Sequence, residues 1–208
     1  MKTFKELLKE SNEHWVGTTN PDINTVNIPQ SNNHNYRENF LLDKNDHYNL
    51  NDHERDAVED YVSSAALINS HHRHNDVPEK WHNLLNERTK HLDSALNKNR
   101  TRHNVHLWRG IIRDDSKKIL QDLNPGDTFH DKGYVSTSFS PDAAGGFGSH
   151  LFHIKVPKGS RALVPSYHGL GKAHEQEVIL PRNSKFRYLN SEKINGTNIH
   201  HLEHIPED

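Results

Sequence analysis

"NKNRTRHNVHLWRG", residues 97–110, marks the point at which the period of the sequence changes. Upstream, residues 76–98 read "DVPEKWHNLLNERTKHLDSALNK" and place Trp81, Leu84, Leu85, Arg88, Leu92, Ala95 and Leu96 at spacings of three and four. That is the stripe of an amphipathic helix. Asp76 with Glu79 predicts a capping box, and Pro78 suits the first turn. A second helical stripe precedes it. In "NDHERDAVEDYVSSAALINS", residues 51–70, Val58, Tyr61, Val62, Ala65 and Ile68 share a face, with Asp52 as the expected cap. Downstream, the text breaks into short apolar runs bounded by turn residues: "VHLWRG", "YVSTSFS", "HLFHIKV", "RALVP", "EVILP" and "KFRYL". Between the first two, "DDSKKILQDLNPGD" predicts a short helix closed by Asn124-Pro125-Gly126. Helices first and strands afterwards make an α+β domain, not a doubly wound α/β fold.

The 208 residues suit one domain with an appendage. Only 31% are hydrophobic, so the core is small and much of the chain is surface or loop. A net charge of -2 gives no global attraction to nucleic acid or to an anionic membrane. The chain has no cysteine, which excludes a disulfide framework and thiolate metal ligands. No run has the length of a membrane span, and "MKTFKELLKESNEHW" lacks the apolar centre of a secretory signal. These features predict a soluble protein with no membrane partner and no specific nucleic-acid partner. Met1 to about Lys9 predicts a short amphipathic helix with Phe4, Leu7 and Leu8 on one side. Ser11 to about Asn39 is Asn-rich, carries Pro21 and Pro29 and has no period, as an irregular arm would. The expected division is therefore a leader and arm over 1–40 and a folded domain over 41–208.

Three stretches carry chemistry. "HEQEVILPR", residues 174–182, sets Glu175 and Glu177 two apart at the entrance to an apolar strand. On a strand the two carboxylates share a face and Gln176 takes the other. Such a pair repels itself and raises one pKa unless a cation arrives; a solvated strand end is the alternative. In "GYVSTSFS", Ser136 and Ser138 share a face and Thr137 takes the opposite one, so a hydroxyl can reach an acid on a neighbouring strand. An ordinary edge strand would look the same. Arg109 closes an apolar strand directly before Gly110. It can offer a planar fork of donors to a phosphate where glycine allows close approach, or it can be a surface arginine in an ion pair. His71, His72 and His74, and His200, His201 and His204, lack the pattern of a zinc site and are expected to be solvated, with no metal bound.

Taken in order, Arg109, Ser136-Thr137-Ser138 and Glu175-Gln176-Glu177 resemble the arginine-specific mono-ADP-ribosyltransferases of the R-S-E class. That class includes the enzymatic components of clostridial actin-modifying toxins and the ADP-ribosyltransferases of T-even-type phages. The resemblance spans about Asp52 to Leu189 and extends to "LNPGDTFHDKGYVSTSFS", "FHIKVPKGS" and "EQEVILPRNSKFRYL". It implies N-terminal helices packed on a split, mixed and antiparallel β-sandwich core. It also implies NAD as substrate without a metal, and an enzyme that transfers ADP-ribose to arginine on a protein and releases nicotinamide. By the same resemblance, Arg109 holds a phosphate of NAD, the Gly110 backbone meets the nicotinamide amide, and Ser136 orients Glu177. Thr137 and Ser138 complete that cofactor-binding segment. Glu177 matches the catalytic glutamate and Glu175 the residue that prepares the acceptor; relatives with Gln at the first position modify other side chains. Phe147, in the glycine-rich "SPDAAGGFGSH", is implied to stack on nicotinamide, and Tyr167 in "SYHGLGKAH" to contact the target. "MKTFKELLKES" resembles the leader of T-even-type phage head proteins, which implies an enzyme packaged in a virion and delivered to the bacterial cytoplasm to act on a host protein. An NAD glycohydrolase and a non-catalytic head protein of the same fold remain the alternatives.

Overall fold

The computed structural model describes residues 50–111, 120, 122–145, 150–194 and 196–206. Expectations for the leader and arm over 1–40, for half of the 114–127 stretch and for Phe147 fall outside these residues. Helix α1 (Asp52–Arg73) begins with a capping box in which the Asn51 side chain accepts from the Glu54 N–H and Glu54 accepts from the Asn51 N–H. The cap is thus Asn51 and not Asp52. Glu54 is buried and also takes Ser94 Oγ at 2.8 Å and Lys98 Nζ at 2.6 Å, which ties the start of α1 to helix α2 (His82–Asn97). The expected Asp76–Glu79 box does not form. A 3-10 turn over Glu79–Trp81 leads into α2, and the His82 ring bonds the Val77 carbonyl oxygen at 2.8 Å. Leu85, Leu92, Ala95 and Leu96 of the predicted stripe are buried, whereas Trp81 and Leu84 are exposed.

Seven strands follow: β1 (Val105–Ile111), β2 (Thr128–Asp131), β3 (Val135–Ser138), β4 (His150–Val156), β5 (Glu177–Leu180), β6 (Ser184–Ile194) and β7 (Thr197–Ile205). They hydrogen-bond in the order β2-β6-β7-β4-β1-β3-β5, antiparallel except for β4 with β7. The split falls between β1 and β3, which meet at the single pair Trp108↔Ser138. Five strands lie on one side of this seam and the β3–β5 pair on the other. Alternation along each strand assigns the faces. Leu107 of β1, Val135 of β3, Val178 and Leu180 of β5, and Phe186 and Leu202 pack together in the interior shared by the two halves. Ile179 and Tyr134 turn the other way, into a second core with Val58, Tyr61, Leu85 and Leu92 of the helices. The β3–β5 pair is thereby sandwiched, as the continuous apolar run Val178-Ile179-Leu180 of β5 requires. A third cluster of Trp108, Leu151 and Ile199 is covered by Ala144 of helix α3 (Pro141–Gly145), so the first part of the expected glycine-rich loop is helical.

Three stretches differ from the expectation, the first being "TFHD", which forms β2 outside every expected apolar run. "RALVP" supplies only isolated bridges, Arg100↔Arg161 and Leu163↔Ile179. "TNIHHLEHI" is the nine-residue β7, whose His200 and His204 are buried, not solvated; burial lowers both pKa values to about 4. A neutral imidazole packs as an aromatic, and His204 lies 5.6 Å from the Phe186 ring centroid. His71 and His72 are half-buried, with ring nitrogens bonded to Asn86 Oδ1 and Thr89 Oγ1. Among the described residues no group of three His, Asp or Glu side chains is arranged to hold a metal ion, and no helix is long and apolar enough to cross a membrane.

Candidate active site

The ladder between β3 and β5 pairs Ser136 with Ile179 and Ser138 with Glu177. Paired residues share a face, so Ser136, Ser138 and Glu177 all lie on the side turned to the helices. Thr137 lies on the opposite side, where its hydroxyl donates to the Val178 carbonyl at 2.7 Å. Glu177 is hydrogen-bonded by the Ser136 side chain. Burial, with the Glu175 charge adding to it, pushes the Glu177 pKa up to about 7, while the Ser136 hydrogen bond and Lys172 act against the rise.

The two glutamates are brought together by a device other than the one their spacing suggests. Strand β5 begins at Glu177; Glu175 ends a 3-10 turn over Ala173–Glu175, and between them Gln176 takes φ +48°. The carboxylates therefore meet across a left-handed kink and not along one face of a strand. Left-handed backbone is unfavourable for a residue with a side chain. Here β3 holds it: Ser138 Oγ donates to the Glu175 carbonyl at 2.7 Å and the Phe139 N–H donates to the Gln176 carbonyl at 3.2 Å. Glu175 is partly exposed and its Oε1 lies 3.1 Å from Lys172 Nζ. Tyr167, 40% exposed, stands on the preceding 3-10 turn over Pro165–His168. Buried Leu170 fastens the link between the two turns to the helix core, and the left-handed Gly171, whose Cβ would meet Val62 Cγ1 at 3.3 Å, lets the chain pass.

Arg109 reaches the same place from β1. Its Nη1 donates to the Ser136 carbonyl at 3.4 Å, and burial lowers its pKa while the Asp131 charge supports the cation. Gly110 follows it and pairs with Leu151 of β4. Arg109 thus reaches across the seam to Ser136, whose side chain bonds Glu177. Tyr61 of α1 lies there too, within the electrostatic reach of both Glu177 and Arg109. Sequence reasoning assigned Tyr61 to the core stripe and did not single out Asn69 or Lys172. The available signal was a hydroxyl-bearing aromatic and an amide on an otherwise apolar helix face. The arrangement offers a half-buried cation, an oriented carboxylate whose pKa is pushed up to about 7, and a second, partly exposed carboxylate.

Residues 35–204 match the family model for ADP-ribosyltransferase exoenzymes. A search of curated proteins finds no match. Among solved structures, the fold is similar to Plx2a, an ADP-ribosyltransferase toxin from Paenibacillus larvae, with a TM-score of 0.64 and 21% identity over 75% of this chain and 87% of that one. It is similar to C3stau2 from S. aureus, solved with NAD, with a TM-score of 0.64 and 19% identity over 79% and 91% of the two chains. It is also similar to the ADP-ribosyltransferase Vis from Vibrio splendidus, solved with agmatine, with a TM-score of 0.61 and 22% identity over 76% of each chain.

Proposed function

The chain belongs to the ADP-ribosyltransferase exoenzyme family, and from that premise we propose that it transfers ADP-ribose from NAD to an arginine side chain of a protein target. One observation carries the reading: two carboxylates meet at a single turn, Glu177 hydrogen-bonded by Ser136 and Glu175 partly exposed with a cation already beside it. In this reading Arg109 holds a pyrophosphate oxygen with its fork of donors, and Gly110 lets the nicotinamide amide approach the backbone. Ser136 fixes Glu177 next to the ribose; Thr137 and Ser138 act through the backbone, holding β5 and the kink in place. As the bond from C1′ to the nicotinamide nitrogen breaks, its electron pair leaves with neutral nicotinamide and positive charge develops on the ribose. Ionised Glu177 is fixed negative charge placed where that charge appears. A guanidinium nitrogen then bonds to C1′ and gives its proton to Glu175. A guanidinium is fully protonated in water, so it needs such an acceptor to act as a nucleophile.

Glu175 favours arginine because it is an acid where relatives that modify other side chains have Gln, and Lys172 stands on it much as a target cation would. Vis, which shares the fold, binds agmatine, and agmatine ends in the same guanidinium as arginine. Tyr167, on the turn beside Glu175, is the proposed target contact, and Phe147 the proposed stacking partner for nicotinamide. We assign the reaction to residues 41–208, in keeping with a family match that starts at residue 35. The leader-like "MKTFKELLKES" favours a phage-encoded enzyme, soluble, packaged in the virion and acting on a host protein. The test is to incubate the protein with labelled NAD and bacterial lysate, beside Glu177→Gln and Glu175→Gln, and to map the label by mass spectrometry. Label on arginine that both substitutions abolish is expected, with Glu175→Gln still cleaving NAD. Cleavage without transfer by the unaltered protein would make it a glycohydrolase, and intact NAD throughout would leave a binding module.

A further inference from the structure

The hydroxyl of Ser136 has a choice of direction, and a chain of buried donors makes that choice. The backbone N–H of Tyr134 can only donate, and it donates to Asn69 Oδ1 at 2.8 Å. This fixes the Asn69 amide, whose Nδ2 donates to the Tyr61 phenol oxygen at 3.2 Å. Either hydroxyl can donate across the 2.8 Å between Tyr61 and Ser136 Oγ, and Tyr61, having accepted from Asn69, still has its own proton to offer. Ser136, having accepted in turn, has one proton left, and the carboxylate of Glu177 is its partner. Burial raises the Tyr61 pKa, so the phenol stays protonated and the direction holds.

We propose that Tyr61 and Asn69 are positioning residues that form, from the Tyr134 N–H, a one-way line of hydrogen-bond donors ending on Ser136 and committing its proton to Glu177. The proposal rests on the reading of Glu177 as the glutamate that serves NAD. Two further features fit it. In an unbroken helix, residues eight apart are turned about 80° from each other; the non-helical Ser64 lies between Tyr61 and Asn69, and both side chains reach β3 or its leading residue. Gly133 precedes the anchoring N–H, and a Cβ there would lie 2.6 Å from Asn69 Oδ1. No side chain fits where the line begins.

The charged and polar groups acting on Glu177 are Ser136, Glu175 and Lys172, with Tyr61 behind Ser136 and Arg109 beyond it. The line opposes the rise that burial and Glu175 impose. Tyr61→Phe keeps the ring and cuts the line. Asn69→Asp keeps the shape and reverses it: the carboxylate still accepts from the Tyr134 N–H, Tyr61 turns its proton to residue 69, and Ser136 turns its proton to Tyr61. Glu177 then loses its donor. In the double variant the reversed signal cannot cross the missing hydroxyl, so Ser136 returns to Glu177.

The experiment is carbon-detected NMR titration of the Glu177 carboxyl in the wild type, both single variants and the double variant, with the pH profile of kcat/KM for NAD cleavage alongside. Thermal melting of each protein identifies loss of fold. The midpoint is expected to rise by roughly half a pH unit in Tyr61→Phe and by about one unit or more in Asn69→Asp. The double variant should fall back to the Tyr61→Phe value, and the NAD profile should move in the same order. An unchanged midpoint in folded single variants, or a double variant at the sum of the two shifts, would overturn the relay. The NMR titration needs no turnover, so failure of the wild type to cleave NAD would overturn the activity reading alone.

Discussion

Replacing Glu177 by Gln should stabilise the fold, and increasingly so as pH rises. Burial, reinforced by the Glu175 charge, places the folded-state pKa at about 7 against an ordinary 4.5. Below 4.5 the carboxyl holds its proton folded or unfolded and contributes nothing. Between 4.5 and 7 the unfolded chain ionises while the folded one resists, so stability is lost as pH rises through the folded value. Above 7 the full cost is present: the gap between 4.5 and 7, at 1.36 kcal/mol per pH unit, comes to about 3 kcal/mol. Gln can still accept from Ser136 and carries no such cost. Urea unfolding of the two proteins at about pH 5 and pH 8 isolates the effect, because every other titrating group is common to both. The stability difference should move in favour of Gln by about 2.5 kcal/mol between the two conditions, or roughly 1 M in urea midpoint. A difference between the two proteins that is the same at both pH values would refute the reasoning.

Lys172→Ala frees Glu175 from an exposed ion pair worth at most about 1 kcal/mol, so KM for an arginine mimic should fall by no more than about fivefold while KM for NAD stays put; a rise in the acceptor KM would remove Lys172 from the target's path. At Gln176, φ +48° accepts glycine without strain. Gln176→Gly should unfold at an unchanged or higher denaturant midpoint, and Gln176→Val should lose about 1–2 kcal/mol; equal midpoints for the two variants would contradict the kink. Gly133→Ala drives a methyl into Asn69 Oδ1 at 2.6 Å and Arg73 Nε at 2.8 Å. Calorimetry should find it destabilised by about 1–3 kcal/mol, and wild-type stability would show that the contact relaxes freely.

The α+β order was legible because it rests on period, which both long helices and strands β1, β3 to β6 display plainly. β7 was missed because its inward positions are His200, Leu202 and His204, and imidazoles read as polar until burial strips them of charge. The Asp76–Glu79 box failed because a 3-10 turn takes up the chain and the His82 ring supplies the bond instead. At the site, spacing correctly brought Glu175 and Glu177 together but for the wrong local reason. A strand rule cannot anticipate a left-handed residue, since the kink is stabilised by Ser138 and Phe139 some 37 residues earlier in the chain. The approach of Tyr61 to Ser136 is likewise long-range, across 75 residues, and no local pattern encodes it.

The seam at Trp108↔Ser138 gives the apolar interior a second office. Arg109 belongs to the five-strand half; Ser136, Glu175 and Glu177 belong to the helix-clamped half. With a single ladder pair joining the halves beside the site, the spacing of the halves, and with it the span from the arginine to the carboxylates, depends on what fills the interior they share: Leu107, Val135, Val178 and Leu180 among others. Those side chains act as a spacer block. Thinning it by a methyl or two, far from any bound molecule, resets the reach between the two ends of the site, so a dinucleotide of fixed length is measured by the hydrophobic core.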